Sequence, residues 1–416
     1  MNIGFVSTRL AGVDGVSLEV AKLVTILREM GHPSFYCAGE LDPVTPPARH
    51  VPEMHFTHPE AKRLHDEAFS TAQPPARLFR EIYASADYLR GELEAFVEQY
   101  GIDVIVSQNA NAIPMNLSLG VAIADLARRN RVKVLCHSHD YYFERTRFIN
   151  NGIQSILDEA FPPKLETVRH MSISTVMQQR LYAWRGIPSL YMPNIFDYEN
   201  PPPPPDDYAL TFRLELGLSA DDLIILQPTR VIRRKVIEKA VELMRKLDDP
   251  RLVLLITGYE GDEAGGYGEW LKEEADRAGI RYQFIADYIG AERGERNGHR
   301  VYTLWDIYPQ AHIATYPSDY EGFGNAMLEM MYFRKPFIIH TYPVYVADIK
   351  SRGIKAVEYH YDLTPDVIAQ TRRLIDDAAL RDDWTETNYR VATECFSYTV
   401  ARRVLEEALR RFDEPF

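Results

Sequence analysis

At 416 residues the chain is too long for one ordinary core and suits two α/β domains. Its apolar share of 46% is that of a soluble globular protein. The formal charge of −13 is spread over both halves without a basic block, which argues against nucleic acid or an anionic membrane as the main partner.

The opening MNIGFVST reads as a strand rather than a signal peptide, and no window approaches a membrane span. Cys37, Cys136 and Cys395 are far apart and lack metal spacing, so they read as reduced thiols of a cytoplasmic protein. The expected partners are small-molecule substrates, without stable membrane insertion; a homo-oligomer is left open.

Along the chain, short apolar runs alternate with helical patterns. Strands are expected at Ile3–Ser7, Ser34–Cys37, Val104–Ser107, Lys133–His137 and His170–Ser174. Helices are expected at Ser17–Met30, Ala76–Tyr100 and Asn116–Asn130. Pro201–Pro205 cannot be helical and reads as a stiff connector. The rhythm then restarts with strands at Leu223–Gln227, Leu252–Thr257, Tyr282–Ala286, Ile313–Tyr316 and Pro336–His340, and helices at Val236–Leu247 and Asn325–Phe333. Gly258–Gly268 and Ala291–His299 read as loops. The end of the chain is helical by pattern, with Leu405, Ala408, Leu409 and Phe412 on one face. This order predicts two Rossmann-like domains with mostly parallel sheets. Their expected bounds are 1–200, a linker at 201–207, 208–390, and a C-terminal helical segment at 391–416 packing back toward the first domain.

Four stretches could carry chemistry. Arg9–Ser17 (RLAGVDGVS) places Gly12 and Gly15 between a strand and a helix, where a phosphate-side turn or a plain structural turn fits equally. Lys133–Phe148 (KVLCHSHDYYFERTRF) sets His137 or His139 at a strand's carboxyl end, where open α/β sheets face their ligands. Asp140, Tyr141, Tyr142, Arg145 and Arg147 follow, and suit an acceptor with hydroxyls and a carboxylate. Thr229–Lys239 (TRVIRRKVIEK) offers Arg230 and Lys235, two cations able to neutralise a leaving diphosphate. A helix start disfavours such cations by its own dipole, so their presence there points to a bound anion.

The most specific stretch is Tyr316–Glu329 (YPSDYEGFGNAMLE). Glu321 and Glu329 stand at either end of Gly322-Phe323-Gly324 and Asn325, where a strand turns through glycines into a helix. Glycines let backbone N–H groups approach a ligand, and a helix N-terminus favours an anion. No Walker A string, H-E-x-x-H, G-x-S-x-G, paired CxxC or D-x-D is present, so no metal site is suggested.

Taken together, the glycine turn, the His-Asp pair, MPNIFD at Met192–Asp197, Arg230 with Lys235, and the E-x7-E string resemble a retaining glycosyltransferase of family 4. Tyr316–Ile349, the opening STRLAGVDGVSLEVAK and HDYYFERTRF are similar to the mannosylglucosylglycerate synthase-like bacterial group. The resemblance implies a GT-B architecture, two Rossmann-like domains facing across a cleft. It implies a hexosyltransferase moving a hexose from a nucleoside-diphosphate sugar, with GDP or UDP favoured, to a hydroxyl of a small soluble sugar or glycosyl acid. No cofactor or metal is obligatory. Arg230 and Lys235 would bind the diphosphate, and Glu321 the donor sugar, helped by backbone around Gly322, Phe323, Gly324 and Asn325. Glu329 would hold the ribose, and His139, or His137 in a competing alignment, would sit by the reacting carbon. Many relatives have adjacent glycines where Val13-Asp14 intervene here, which weakens the expected contact at Gly15. The alternatives are a disaccharide phosphorylase of the same fold, or transfer to a lipid or polysaccharide acceptor.

Overall fold

Seven parallel strands form the sheet of the first half: β1 (Ile3–Ser7), β2 (Ser34–Ala38), β3 (Ala48–His50), β4 (Val104–Gln108), β5 (Lys133–Ser138), β6 (Val168–Ser172) and β7 (Leu190–Tyr191). Their order is β3-β2-β1-β4-β5-β6-β7, a doubly wound arrangement whose reversal lies between β1 and β4. The computed structural model describes residues 1–12, 15–43, 46–259 and 265–413. β1, β4 and β5 are buried almost throughout, because helices cover both faces of a parallel sheet. Leu78, Ile82, Leu89, Leu93 and Phe96 line one face of the Ala76–Tyr100 helix and pack on one side of the sheet. On the other side, Val20, Leu23 and Ile26 share a core with Ala401, Leu405 and Ala408 from the end of the chain. The first compact unit therefore comprises Met1–Ile195 and the C-terminal stretch from Tyr398.

The second unit, Phe196–Ser397, holds six parallel strands: β8 (Leu223–Gln227), β9 (Leu252–Ile256), β10 (Tyr282–Phe284), β13 (Ile313–Tyr316), β14 (Phe337–His340) and β15 (Val357–Tyr359). Their order is β10-β9-β8-β13-β14-β15, again with the reversal at the first strand. Between β10 and β13, β11 (Gly294–Arg296) and β12 (His299–Val301) form a separate antiparallel hairpin. Pro201–Pro205 carries neither helix nor strand and lies inside this unit; the chain passes between units at Ile195–Phe196 and Ser397–Tyr398.

Several elements differ from the sequence reading for local reasons. β6 starts and stops two residues early, because Ser174 is used as a helix cap and accepts a hydrogen bond from Met177 N at 3.1 Å. The helix expected from Val236 begins at Glu238, since Val236 adopts a left-handed φ of 49° after a 3₁₀ turn at Arg233–Lys235. The loop at Ala291–His299 contains β11 and the turn into β12. The loop at Gly258–Gly268 runs into a helix at Tyr267–Ala278, with residues 260–264 outside the described ones. The cysteines are free thiols; Cys37 and Cys136 are buried, and burial pushes the Cys37 thiol up to about 12.

His170, on β6, is buried; its Nε2 donates to Pro163 O at 3.0 Å and its Nδ1 has no partner among the described residues. Burial pulls its pKa down to about 4 from the usual 6.5. The folded state thus holds the ring neutral while the unfolded state protonates it below 6.5. Its stabilisation is complete above that value and is lost as pH falls toward 4, by about 3 kcal/mol at the limit. Denaturant unfolding of the wild type is expected to weaken between pH 6.5 and 4. The His170→Gln variant should show a visibly shallower decline; an equal slope in both would refute this role.

Candidate active site: an ion trio in one unit and a histidine pair in the other

In the second unit the carboxyl ends of β8 and β13 carry the charged groups. Glu321 is buried, yet it receives two cations: Lys235 pairs with Oε1, and Arg234 Nη1 donates to Oε2 at 2.9 Å. Arg234 also donates to Tyr320 O at 2.9 Å, which ties the 3₁₀ turn after β8 to the loop after β13. Burial alone would raise the Glu321 carboxyl, but Lys235 and Arg234 hold it below the usual range, so it remains charged. Burial lowers the Lys235 ammonium, with Arg234 and Arg230 adding to that against Glu321. Arg230 itself is exposed at the start of the same turn. The expected pair Arg230 and Lys235 is thus part of a larger cationic cluster. Arg234, which the sequence reading passed over, makes the second contact to Glu321.

Two glycines let these loops meet. A side chain at Gly258, just after β9, would collide with the backbone at Thr229 and Arg230. Gly324 has φ 129°, and a Cβ there would lie 2.8 Å from the Tyr342 hydroxyl and 3.2 Å from that of Tyr316. Gly324 immediately precedes the Asn325–Tyr332 helix, whose amino end therefore opens beside Glu321. Phe323 is buried, edge-on to Phe396 at 5.4 Å, and its carbonyl accepts from Tyr342 OH at 2.6 Å. The Gly322–Asn325 backbone is therefore held by packing on both sides. Glu329 is half-buried, and its Oε2 accepts from the buried Tyr308 hydroxyl at 2.8 Å. Burial, then Glu329, pushes the Tyr308 pKa well above 10, so Tyr308 stays a donor and orients the carboxylate. Beneath the turn, Gln227 Nε2 donates to Thr229 Oγ1 at 2.8 Å and Thr315 Oγ1 donates to Gln227 Oε1 at 2.6 Å, locking β8 to β13.

In the first unit, Gln108 at the end of β4 bridges the two histidines. Its Oε1 accepts from His137 Nδ1 at 3.1 Å, and its Nε2 donates to His139 Nε2 at 2.9 Å. An amide oxygen only accepts and an amide nitrogen only donates, so the neutral tautomers are set: His137 carries its proton on Nδ1, and His139 offers Nε2 as acceptor. His137 is buried and held far below 6.5 by burial and by His139; His139 is half-buried. Of the two candidates, His139 is the one a ligand can reach. Asn109 supports it: Oδ1 accepts from His139 N at 3.0 Å, and Nδ2 donates to Asp140 Oδ1 at 3.3 Å.

The residues expected to line an acceptor divide. Asp140 is paired with Arg145. Arg147 turns elsewhere, with Nη2 3.2 Å from Met115 S and its guanidinium 4.5 Å over Phe148. Tyr141 and Tyr142 are buried, and their hydroxyls are engaged within the fold, with Ser172 Oγ at 2.8 Å and Gln154 Nε2 at 3.0 Å. They brace the loop from inside instead of presenting hydroxyls outward. Gly15 starts the first helix. Gly12 N donates to both oxygens of Asp42 at 3.1 and 3.0 Å, while Val13 and Asp14 lie outside the described residues. Gln108 and Asn109 were missed because each sits just past an apolar run that was ended at Ser107.

A buried carboxylate held by two cations, beside a glycine turn that opens a helix in one of two Rossmann-like domains, defines a glycosyltransferase of GT-B fold. Residues 211–391 match the family of glycosyl transferases group 1. The chain is 31% identical over 385 residues to a mannosylglucosylglycerate synthase of Petrotoga mobilis, covering 86% of each protein. It is 27% identical to a mannosylglucosylglycerate synthase of Thermotoga maritima, covering 95% of this chain and 97% of that protein. Among solved structures, Anabaena HepE in complex with UDP and glucose superposes with a TM-score of 0.67 at 13% identity, over 99% of each chain. The chain belongs to the glycosyl transferases of group 1.

The ion trio makes a direct prediction. Removing one partner of a buried pair strands the other charge, at a cost of roughly 3–5 kcal/mol. Lys235→Met and Glu321→Gln should each destabilise the second unit, and the double variant should lose clearly less than the two combined. Strictly additive losses in a double-mutant cycle of denaturant unfolding would show that the pair is not coupled.

Proposed function

We propose that this glycosyltransferase is a retaining hexosyltransferase of family 4. It would move a hexose from a nucleoside-diphosphate sugar to a hydroxyl of a small soluble acceptor, a sugar or glycosyl acid, without a metal. The observation that carries this is the Arg234–Lys235–Glu321 trio at the head of the Gly322–Asn325 turn, with Arg230 exposed alongside. Arg230 and Lys235 would neutralise the diphosphate as the bond from the sugar carbon to its oxygen breaks. Glu321, kept ionised by its cations, would accept from donor-sugar hydroxyls. Glu329, aimed by Tyr308, would take the ribose hydroxyls, and the Gly322–Asn325 backbone would meet the phosphates. As the acceptor oxygen bonds to the sugar carbon, its proton would pass to the leaving diphosphate oxygen on the same face. His139, its tautomer fixed by Gln108, is the first unit's candidate for the reacting sugar.

The name shared by the two curated relatives supports a mannosyl donor and a glycosylated organic acid as acceptor. Asp140 with Arg145 would be the first unit's polar groups for such a substrate, and Arg147 would have to leave its seat on Met115 and Phe148 to join them. No D-x-D string is present to hold a metal–diphosphate pair, and the cations above supply that charge instead.

The test is transfer from UDP-, GDP- and ADP-sugars to soluble sugars and sugar acids in the presence of EDTA, with the product anomer read by proton NMR. Transfer with retained configuration that persists in EDTA is expected. Inversion, or complete loss in EDTA restored by Mg²⁺ or Mn²⁺, would overturn the mechanism. Turnover only with inorganic phosphate would point to a phosphorylase, and transfer only to lipid-linked sugars would overturn the acceptor class.

A further inference from the structure

Tyr342 lies just past β14 and carries no role in the reaction proposed above. Its side chain is buried, and its hydroxyl donates to Phe323 O at 2.6 Å. A carbonyl oxygen only accepts, so the tyrosine proton lies between the two. Burial, then Glu321 and Tyr345, pushes the Tyr342 pKa well above 10, so that proton stays in place. The ring is carried on a fixed backbone. Tyr342 N donates to His340 O at 3.0 Å, and Tyr342 O accepts from Val346 N at 3.1 Å. The π-helical turn that follows, Tyr345–Ile349, is tied to β15 through Tyr345 OH, which donates to Glu358 Oε1 at 2.8 Å.

A trans peptide is planar, and its C=O and N–H point in opposite directions. Tyr342 draws Phe323 O to one side, so the Gly324 N–H of the same peptide leaves on the other. That N–H has no hydrogen-bond partner among the described residues. The next carbonyl, Gly324 O, is also taken up by the protein, accepting from Met327 N at 3.1 Å and from Leu328 N at 3.3 Å as the helix begins. Both carbonyls therefore face protein donors. Glycine tolerates either orientation of the peptide before it, so the backbone alone does not choose. No side chain at 324 can choose either, because a Cβ there would lie 2.8 Å from the Tyr342 hydroxyl. The choice falls to the Tyr342 hydrogen bond.

Given the phosphate role proposed above for the Gly322–Asn325 backbone, we infer that Tyr342 is a positioning residue for the donor. Its hydroxyl holds the Phe323–Gly324 peptide with the N–H toward a phosphate oxygen and the carbonyl turned away. A released peptide would be free to flip and present its carbonyl to the anion, replacing an attractive dipole by a repulsive one.

Phe323-Gly324 is the only Phe-Gly step in the sequence. Isotopic labelling of phenylalanine carbonyl carbons and glycine nitrogens therefore singles out this one amide by NMR in the full chain. UDP, GDP and ADP are titrated in, with calorimetry giving the affinity. In the wild type, the nucleotide that binds should move the Gly324 amide proton downfield, as a charge-assisted hydrogen bond does. Tyr342→Phe keeps the ring and removes the hydroxyl. Its affinity should fall about three- to tenfold, the worth of one neutral hydrogen bond, and its downfield shift at saturation should shrink. Tyr345→Phe removes a neighbouring buried hydroxyl that bonds Glu358 and not the turn, and should leave both readouts as in the wild type. A Tyr342→Phe protein that loses thermal stability while affinity and shift stay unchanged would mark Tyr342 as structural and overturn the inference. An equal effect of Tyr345→Phe would overturn it as well. So would a wild-type Gly324 amide that stays in place while a nucleotide binds, a result that holds whether or not Tyr342→Phe folds and that leaves the diphosphate site itself standing. Absence of binding by all three nucleotides would instead overturn that site, and the role of Tyr342 with it.

Discussion

Glu321 is a carboxylate that burial alone would drive toward the neutral acid. Lys235 and Arg234 keep it charged, and in doing so fix the geometry around it. The turn after β8 must approach the loop after β13 closely enough for Lys235 to reach Glu321. That approach requires Gly258 against the backbone at Thr229 and Arg230, and the Gln227–Thr229–Thr315 hydrogen bonds beneath. The loop must then turn through Gly324 to start the Asn325–Tyr332 helix. This places Glu329 on the helix's fifth residue with Tyr308 behind it. A buried ion pair is a poor source of net stability. In the proposed function its role would be positioning: the pair would hold a charged acceptor and a cation together where a sugar–diphosphate linkage has matching polarity.

The first unit solves a related problem with neutral groups. Two imidazoles whose ring centres lie 4.7 Å apart cannot both be charged in a buried setting. Gln108 resolves the conflict by donating to one ring and accepting from the other. His137 is thereby fixed as a supporting group and His139 as the accessible one. Asn109 holds the His139 backbone, and Arg145 pairs with Asp140, so hydrogen bonds set the loop after β5 together with the buried rings of Tyr141 and Tyr142.

Much of the frame was legible because parallel strands buried on both faces read as uninterrupted apolar runs. β1, β8 and β13 match their expected bounds for that reason, and the Ala76–Tyr100 helix matches because its apolar stripe is sustained over seven turns. β3, β7 and β15 carry only two or three residues and have no period to detect. The β11–β12 hairpin was legible and was overlooked: Asn297-Gly298, with φ of 53° and 79°, is the strongest short hairpin signal, here masked by the surrounding charge. At the site, residues chosen from the E-x7-E string and from Arg230 and Lys235 fall on the turn after β8, the loop after β13 and the helix that follows it. Arg234 was hidden between those two cations, because spacing alone does not say which of Arg230, Arg233, Arg234 and Lys235 face a carboxylate. Tyr141 and Tyr142 misled in the other direction. A tyrosine beside polar residues looks like a ligand contact, and only tertiary structure shows its hydroxyl satisfied from within.

The claim on which the account rests is that the E-x7-E string and its cations hold a nucleoside diphosphate. Calorimetric titration of UDP, GDP and ADP into the wild type and into Glu329→Ala tests it most directly. The account predicts saturable binding of one of them by the wild type. Glu329→Ala should weaken it by roughly 1.5–3 kcal/mol, the loss of charge-assisted bonds from ribose hydroxyls. Binding of equal strength in both proteins would contradict the assignment of Glu329, and no binding of any of the three would contradict the account as a whole.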